Sequence, residues 1–107
     1  MKRVGLIVAS DDGCAVFTSV EAAEGYLEAV DVEDGVYPAG YDADGRVFRL
    51  HASGVTTWNP GRVTITPDGT TDVQSLRDLI KQTLRDENVE DLPIDELAQR
   101  LASRIIA

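Results

Sequence analysis

Residues 36–51 read VYPAGYDADGRVFRLH and predict a β-hairpin near the middle of the chain. The tetrad DADG at residues 42–45 ends in Asp-Gly, which tolerates the left-handed backbone of a tight turn. Phe48 and Leu50 share one face of the second strand, and we expect that face to point inward. Pro38 lacks a backbone N–H, so the first strand is expected at a sheet edge or at a bulge.

The segments on either side of this hairpin complete an α+β pattern. A capping box at Thr18 and Glu21 predicts a helix over residues 19–29, and Thr71 with Gln74 precedes an apolar stripe of helical period that ends near Arg85. Pro93 suits the first turn of a final helix. The predicted strands are residues 3–9, 14–17, 36–41, 46–51, 54–58 and 62–66.

This order predicts an α+β fold. We expect a mostly antiparallel sheet of about four to six strands, with one N-terminal helix and two C-terminal helices packed on one face. The length of 107 residues fits a single domain, residues 1–107. The lone cysteine, Cys14, excludes an internal disulfide, and the apolar run after Met1 is too short for a signal peptide. We therefore expect a cytoplasmic protein.

The negative charge is concentrated in the first half of the chain. The net charge is −9, and residues 1–45 contain two bases and ten acids, which leaves −8 there. Such a charge disfavours nucleic acid and anionic membrane as partners and favours a basic protein. Our candidate partner-binding residues are eight of these acids: Glu21, Glu24, Glu28, Asp31, Glu33, Asp34, Asp42 and Asp44.

Four of these acids follow helical spacing. Glu21, Glu24, Glu28 and Asp31 would lie within about 80° of one another on a continuous helix. One interpretation is an ordinary solvated helix face. The other is a docking surface, on which complementary charge speeds encounter and rejects wrong partners.

A family resemblance bears on this choice. Several short groups of residues between 17 and 50 carry it: Ser19-Val20-Glu21, Tyr26-Leu27-Glu28, Asp31-Val32, Gly35, Tyr37, Tyr41-Asp42 and Gly45-Arg46. In this helix-then-hairpin pattern the chain resembles small bacterial immunity-type proteins associated with polymorphic toxin systems. The resemblance implies a protein that binds and inhibits a cognate toxin. The distribution of charge, and not the resemblance, indicates the acidic surface as the contact. The alternative is a non-enzymatic adaptor or a homodimeric module, with an edge strand near Pro38 as the contact.

We predict no catalytic residue, metal site or cofactor. Cys14 and the single histidine, His51, lie in no catalytic signature, and a zinc site would need four nitrogen or sulfur ligands. The DADG turn lacks the later ligands of a calcium loop. The aromatic residues remain as candidate interface anchors or core residues: Tyr26, Tyr37, Tyr41 and Trp58. Tyr37 and Tyr41 are expected on the same face of one strand.

Overall fold

The structure of the protein is a computed structural model, which describes residues 3–11, 13–85 and 92–106. It confirms the α+β class, with a five-stranded antiparallel sheet in the order β2-β1-β3-β4-β5. The strands are β1 Leu6–Ser10, β2 Gly13–Phe17, β3 Gly40–Tyr41, β4 Arg46–Ser53 and β5 Arg62–Thr71. The helices are α1 Val20–Tyr26, α2 Ala29–Glu33, α3 Val73–Thr83 and α4 Ile94–Arg100, followed by a 3-10 turn at Ala102–Arg104.

The helices cover both faces of the sheet, so the prediction that they pack on one face is wrong. Leu6 and Val8 point into a core shared with α1 and α2, whereas Ile7 points into a second core shared with α3 and α4. All three side chains are fully buried. Strand β1 is apolar nearly throughout, a pattern typical of a strand that is covered on both faces.

Both predicted helix starts lie one residue early. Ser19, rather than Thr18, caps α1, because its Oγ accepts a hydrogen bond from the backbone N–H of Ala22 at 3.0 Å. Asp72 caps α3 by accepting from the N–H of Ser75, also at 3.0 Å. Each cap satisfies an N–H that has no partner within its helix. The polar residues 86–88, which follow the stripe, predict a helix break after Arg85, and they lie outside the described residues.

The predicted edge strand at residues 36–41 is reduced to the two residues of β3. This strand lies between β1 and β4, and Pro38 precedes it, so Pro38 is not at a sheet edge. Since most of the segment is not extended in a sheet, Tyr37 and Tyr41 do not share a face. Tyr37 packs against the core under α1 and α2, and Tyr41 against the core under α3.

The return strand of the hairpin is predicted well. Phe48 and Leu50 point into the core under α1 and α2, as their alternation indicates. The predicted strand at residues 54–58 is a loop, and β5 extends to Thr71 instead of ending near Thr66. This loop between β4 and β5 contributes half of the candidate site.

Candidate protein-binding groove

The junction of α1 and α2 forms one wall of the candidate site. The predicted helix 19–29 is interrupted here, because Leu27 and Glu28 adopt an extended backbone. Leu27 and Ala29 are both buried, and two residues that are two positions apart cannot occupy the same face of one helix. Gly25 lowers the cost of the interruption, since glycine is a poor helix former.

The extended backbone gives the junction a two-residue period. The buried residues Leu27 and Ala29 alternate with three outward ones, Tyr26, Glu28 and Val30. Tyr26 is 56% exposed and Val30 is 42% exposed, although on one continuous helix Val30 would share the buried face of Ala23 and Leu27. The junction therefore presents an aromatic, an acidic and an aliphatic side chain together.

The opposite wall is the loop between β4 and β5, which is held by its own polar side chains. Thr56 Oγ1 accepts from the N–H of Trp58 at 3.2 Å and from that of Asn59 at 3.0 Å. Asn59 Oδ1 accepts from the N–H of Gly61 at 2.8 Å. These bonds satisfy the turn locally, so the Trp58 side chain has no structural task within the loop and is 94% exposed.

Gly61 allows the two walls to approach each other. Its φ is +79°, and an added Cβ would lie 2.7 Å from the carbonyl oxygen of Ser53 and 3.1 Å from the Cβ of Ala29. Any other residue would meet both the backbone of β4 and the start of α2. The loop therefore packs against α2 only because residue 61 has no side chain.

Between these walls lies an open groove of about 610 Å³, which we call the Trp58 groove. Its lining comprises residues 25–30 and 55–61, and Glu28 is the one charged residue among them. A single exposed apolar side chain is ordinary on a protein surface, but here Trp58, Tyr26 and Val30 line the same groove. A contiguous apolar patch with a polar rim is typical of an interaction site.

Tyr37 packs under α1 and α2, near two of the acids and one aromatic residue of the groove wall. Burial raises the pKa of the Tyr37 hydroxyl, and the charges of Asp31 and Glu28 raise it further, together with Tyr26. Each of these residues is therefore close enough to Tyr37 to influence its ionisation. Asp31 directly follows the groove residue Val30 in the chain, so a second acid lies next to the groove lining.

The structure does not bring all eight predicted acids to one surface. Glu21 is exposed on α1, Asp31 is half-buried in α2, and Glu33 and Asp34 are exposed at the end of α2. Glu24 contacts strand β5, because its Oε2 accepts a hydrogen bond from the backbone N–H of Ile65 at 2.8 Å. With the helix interrupted, the continuous stripe expected from the spacing does not form.

Asp42 and Asp44 lie away from the groove. They precede β4, whereas the groove loop follows its last residue, so the length of the strand, roughly 23 Å, separates the two sites. Asp42 Oδ1 also accepts from the backbone N–H groups of Asp44, at 2.9 Å, and Arg46, at 3.0 Å. Asp42 thus stabilises the hairpin turn, as the turn prediction implies, and is not part of the Trp58 groove.

Cys14 and His51 do not form a nucleophile–base pair. They lie on β2 and β4, three strands apart in the sheet, or roughly 14 Å. Burial raises the pKa of the Cys14 thiol, whose Sγ accepts a hydrogen bond from the Thr83 hydroxyl at 3.3 Å. The exposed His51 ring has Thr66 Oγ1 at 3.4 Å.

Comparisons with known proteins leave the family open. No family model matches the chain, and neither curated proteins nor solved structures give a match. Among the described residues, no three His, Cys, Asp or Glu side chains are grouped so that they could hold a metal ion. Nor does any helix in residues 3–11, 13–85 and 92–106 have the length and apolar character needed to cross a bilayer.

Sequence reasoning identified Trp58 and Glu28 separately but missed the groove that unites them. The two missed signals are local. Leu27 and Ala29 are apolar at a spacing of two inside a presumed helix, and Thr56 precedes Asn59-Pro60-Gly61 as part of a polar turn. Both signals indicate that the chain leaves regular structure at the points where the groove walls form.

Proposed function

We propose that this protein is a non-enzymatic inhibitor that binds a basic protein partner in the Trp58 groove. The observation that carries the proposal is the 94% exposure of Trp58 beside Tyr26, Val30 and Glu28 in one groove. Tryptophan and tyrosine are the residues most often found at the energetic centre of protein interfaces. Their burial on complex formation would supply the stabilisation that the free protein lacks there.

Charge complementarity specifies the chemistry of the partner. Residues 20–34, which comprise α1, the junction, α2 and the residue after it, carry six acids and no base: Glu21, Glu24, Glu28, Asp31, Glu33 and Asp34. The one salt bridge between described residues, Arg49 with Asp68 at 3.5 Å, uses none of these six. A partner segment with lysine or arginine around an apolar anchor complements such a rim. An arginine can in addition stack on the face of Trp58.

The resemblance to immunity-type proteins supports a toxin domain as that partner. Binding of the toxin in the groove, against the acidic rim, would block the toxin sterically and electrostatically. No chemical step by the inhibitor is required. The protein encoded by the adjacent gene is therefore the partner to test first.

A pair of charge reversals tests the location of the surface. Glu28→Lys and Asp44→Lys change the net charge of the chain equally, from −9 to −7, but only Glu28 lines the groove. We expect E28K to weaken binding of the adjacent gene product roughly tenfold or more, mainly through slower association, and D44K to have little effect. Titration calorimetry gives the affinity, and co-expression with the intact toxin shows whether protection is lost.

Two results would contradict the proposal. Equal losses for E28K and D44K would show that overall charge, and not the groove, governs binding. A free protein that is a stable dimer with Trp58 buried between its copies would make the groove a self-interface, in agreement with the homodimeric alternative. Light scattering over a range of concentrations, with tryptophan emission recorded on the same samples, distinguishes that case.

A further inference from the structure

The outer edge of β5 pairs with no other strand of the described sheet. Strand β5 is at one end of the sheet order and pairs with β4 on one side only. Alternate backbone N–H groups of an antiparallel edge strand point away from the sheet and are available to another strand. In β5 the N–H of Ile65 points outward, since it meets the side chain of Glu24 instead of β4.

Three features reduce the pairing capacity of this edge. Glu24 Oε2, delivered by α1, accepts from the N–H of Ile65 at 2.8 Å across 41 residues of sequence. Two residues further along the same outward row, Pro67 has no N–H to offer. At the start of the row, Asn59 Oδ1 accepts from the N–H of Gly61. Of the three, the Glu24 carboxylate is the one that comes from a distant element of the fold.

The packing of α1 holds Glu24 in this position. The side chain of Ile65 is 5% exposed and lies in the same core as Ala23, the residue before Glu24. The carboxylate therefore reaches the strand edge from a helix that is fixed directly above it.

We infer that Glu24 closes β5 against strand addition and that its loss opens the edge to β5 of a second copy. A second copy is the matching occupant, because two identical strand segments between Gly61 and Pro67 can pair antiparallel about a two-fold axis. At the other edge of the sheet, the chain itself covers β2 at Val16. Ile105 forms a parallel bridge to Val16 of β2, and the N–H of Ile106 donates to the Val16 carbonyl at 2.8 Å.

Four substitutions separate the reach of the side chain from its charge. Glu24→Asp keeps the charge but is one methylene shorter, whereas Glu24→Gln loses the charge but keeps an acceptor at the same reach. Glu24→Ala loses both. Glu21→Ala is the matched control, since Glu21 is exposed on the same helix. Circular dichroism establishes that each variant is folded before it is compared.

The readouts are the hydrogen-exchange rate of the Ile65 amide and the mass in solution by light scattering. At about 0.15 M salt, which screens charges beyond about 8 Å, we expect E24D and E24A to exchange Ile65 about tenfold faster and to form dimers as concentration rises. E24Q and E21A should resemble the unmodified protein. The inference is overturned if folded E24D and E24A remain monomeric with unchanged exchange. It is also overturned if E24Q associates as strongly as E24A, because charge would then be the cause.

Discussion

The two helical layers differ in the exposure of their aromatic residues. On the side of α3 and α4, Leu76, Ile80 and Leu97 are fully buried against Ile7 and Val16. On the side of α1 and α2, the core is equally closed beneath Leu27 and Ala29, but Tyr26, Val30 and Trp58 remain in solvent above it. The charges differ as well, because α3 carries Arg77 and Lys81 with one acid, whereas α1 and α2 carry acids only.

Both layers close a core, but only the α1–α2 side leaves aromatic side chains among the described residues mostly in solvent. Burial of apolar area contributes about 25 cal/mol per Å², so a fold gains nothing from leaving Trp58 in water. The α3–α4 side also exposes apolar side chains, Val73 at 37% and Ile106 at 45%, but the exposed aromatic ones among the described residues, Tyr26 and Trp58, lie on the other side. The Trp58 groove lies outside an already closed core, and on the proposed function a partner would cover it.

The largest contrast between the layers should appear in a pair of alanine substitutions. Leu76→Ala removes a fully buried side chain and should lower the free energy of unfolding by about 2–5 kcal/mol. Trp58→Ala should change that free energy by less than about 0.5 kcal/mol but weaken partner binding by about 2 kcal/mol, roughly 30-fold. Urea denaturation and titration calorimetry measure the two quantities. A large loss of stability in W58A would mean that Trp58 is part of the core.

A second contrast is between Gly61 in the groove loop and Gly35, which tests how closely the loop packs against α2. Gly61 and Gly35 both have φ +79°, but an added Cβ at Gly35 meets nothing within 4 Å. Gly35→Ala should therefore cost only the backbone term, about 1–2 kcal/mol. Gly61→Ala should cost more than Gly35→Ala and shift the loop away from α2. Thermal unfolding measures both costs, and equal losses would show that the loop does not press against Ala29.

The smallest effect is a pH difference between Tyr37 and Tyr41, one in each layer. Burial raises the pKa of both, and the next cause is Asp31 for Tyr37 and Asp72 for Tyr41. Because both folded pKa values are raised, the linked stability is present below pH of about 10 and is lost as pH rises through them. Asp31→Asn should lower the pKa of Tyr37 and leave that of Tyr41 unchanged. NMR titration of ring-labelled tyrosine tests this, and equal shifts would remove Asp31 from the rim.

The sequence predicted an element correctly where a single apolar periodicity determines it. The return strand of the hairpin follows the alternation of Phe48 and Leu50, and α3 follows the spacing of Leu76 and Ile80. The layer arrangement was missed because the order of the elements does not state on which face each helix packs, although the apolar run of β1 is typical of a strand covered on both faces. The interruption at Leu27 was missed because a capping box and acids at helical spacing fit one longer helix equally well.

The candidate site was predicted only in part for a related reason. Charge can be counted in a sequence, and it pointed to the acids of α1 and α2. The role of each acid depends on its hydrogen-bond partners, which a count of charges does not contain. Glu24 meets Ile65 from 41 residues away, and Asp42 is held by its own turn. The groove itself needs the α1–α2 junction and the β4–β5 loop in contact, which only the fold provides.

Quenching of tryptophan fluorescence by acrylamide tests the central claim most directly, because Trp58 is the single tryptophan of the chain. In the free protein we expect Trp58 to be quenched almost as efficiently as tryptophan in a peptide. In the complex with a tryptophan-free variant of the adjacent gene product, its emission should shift to shorter wavelength and its quenching should fall several-fold. A stable complex in which Trp58 remains fully quenched would contradict the account, because the partner would then bind elsewhere.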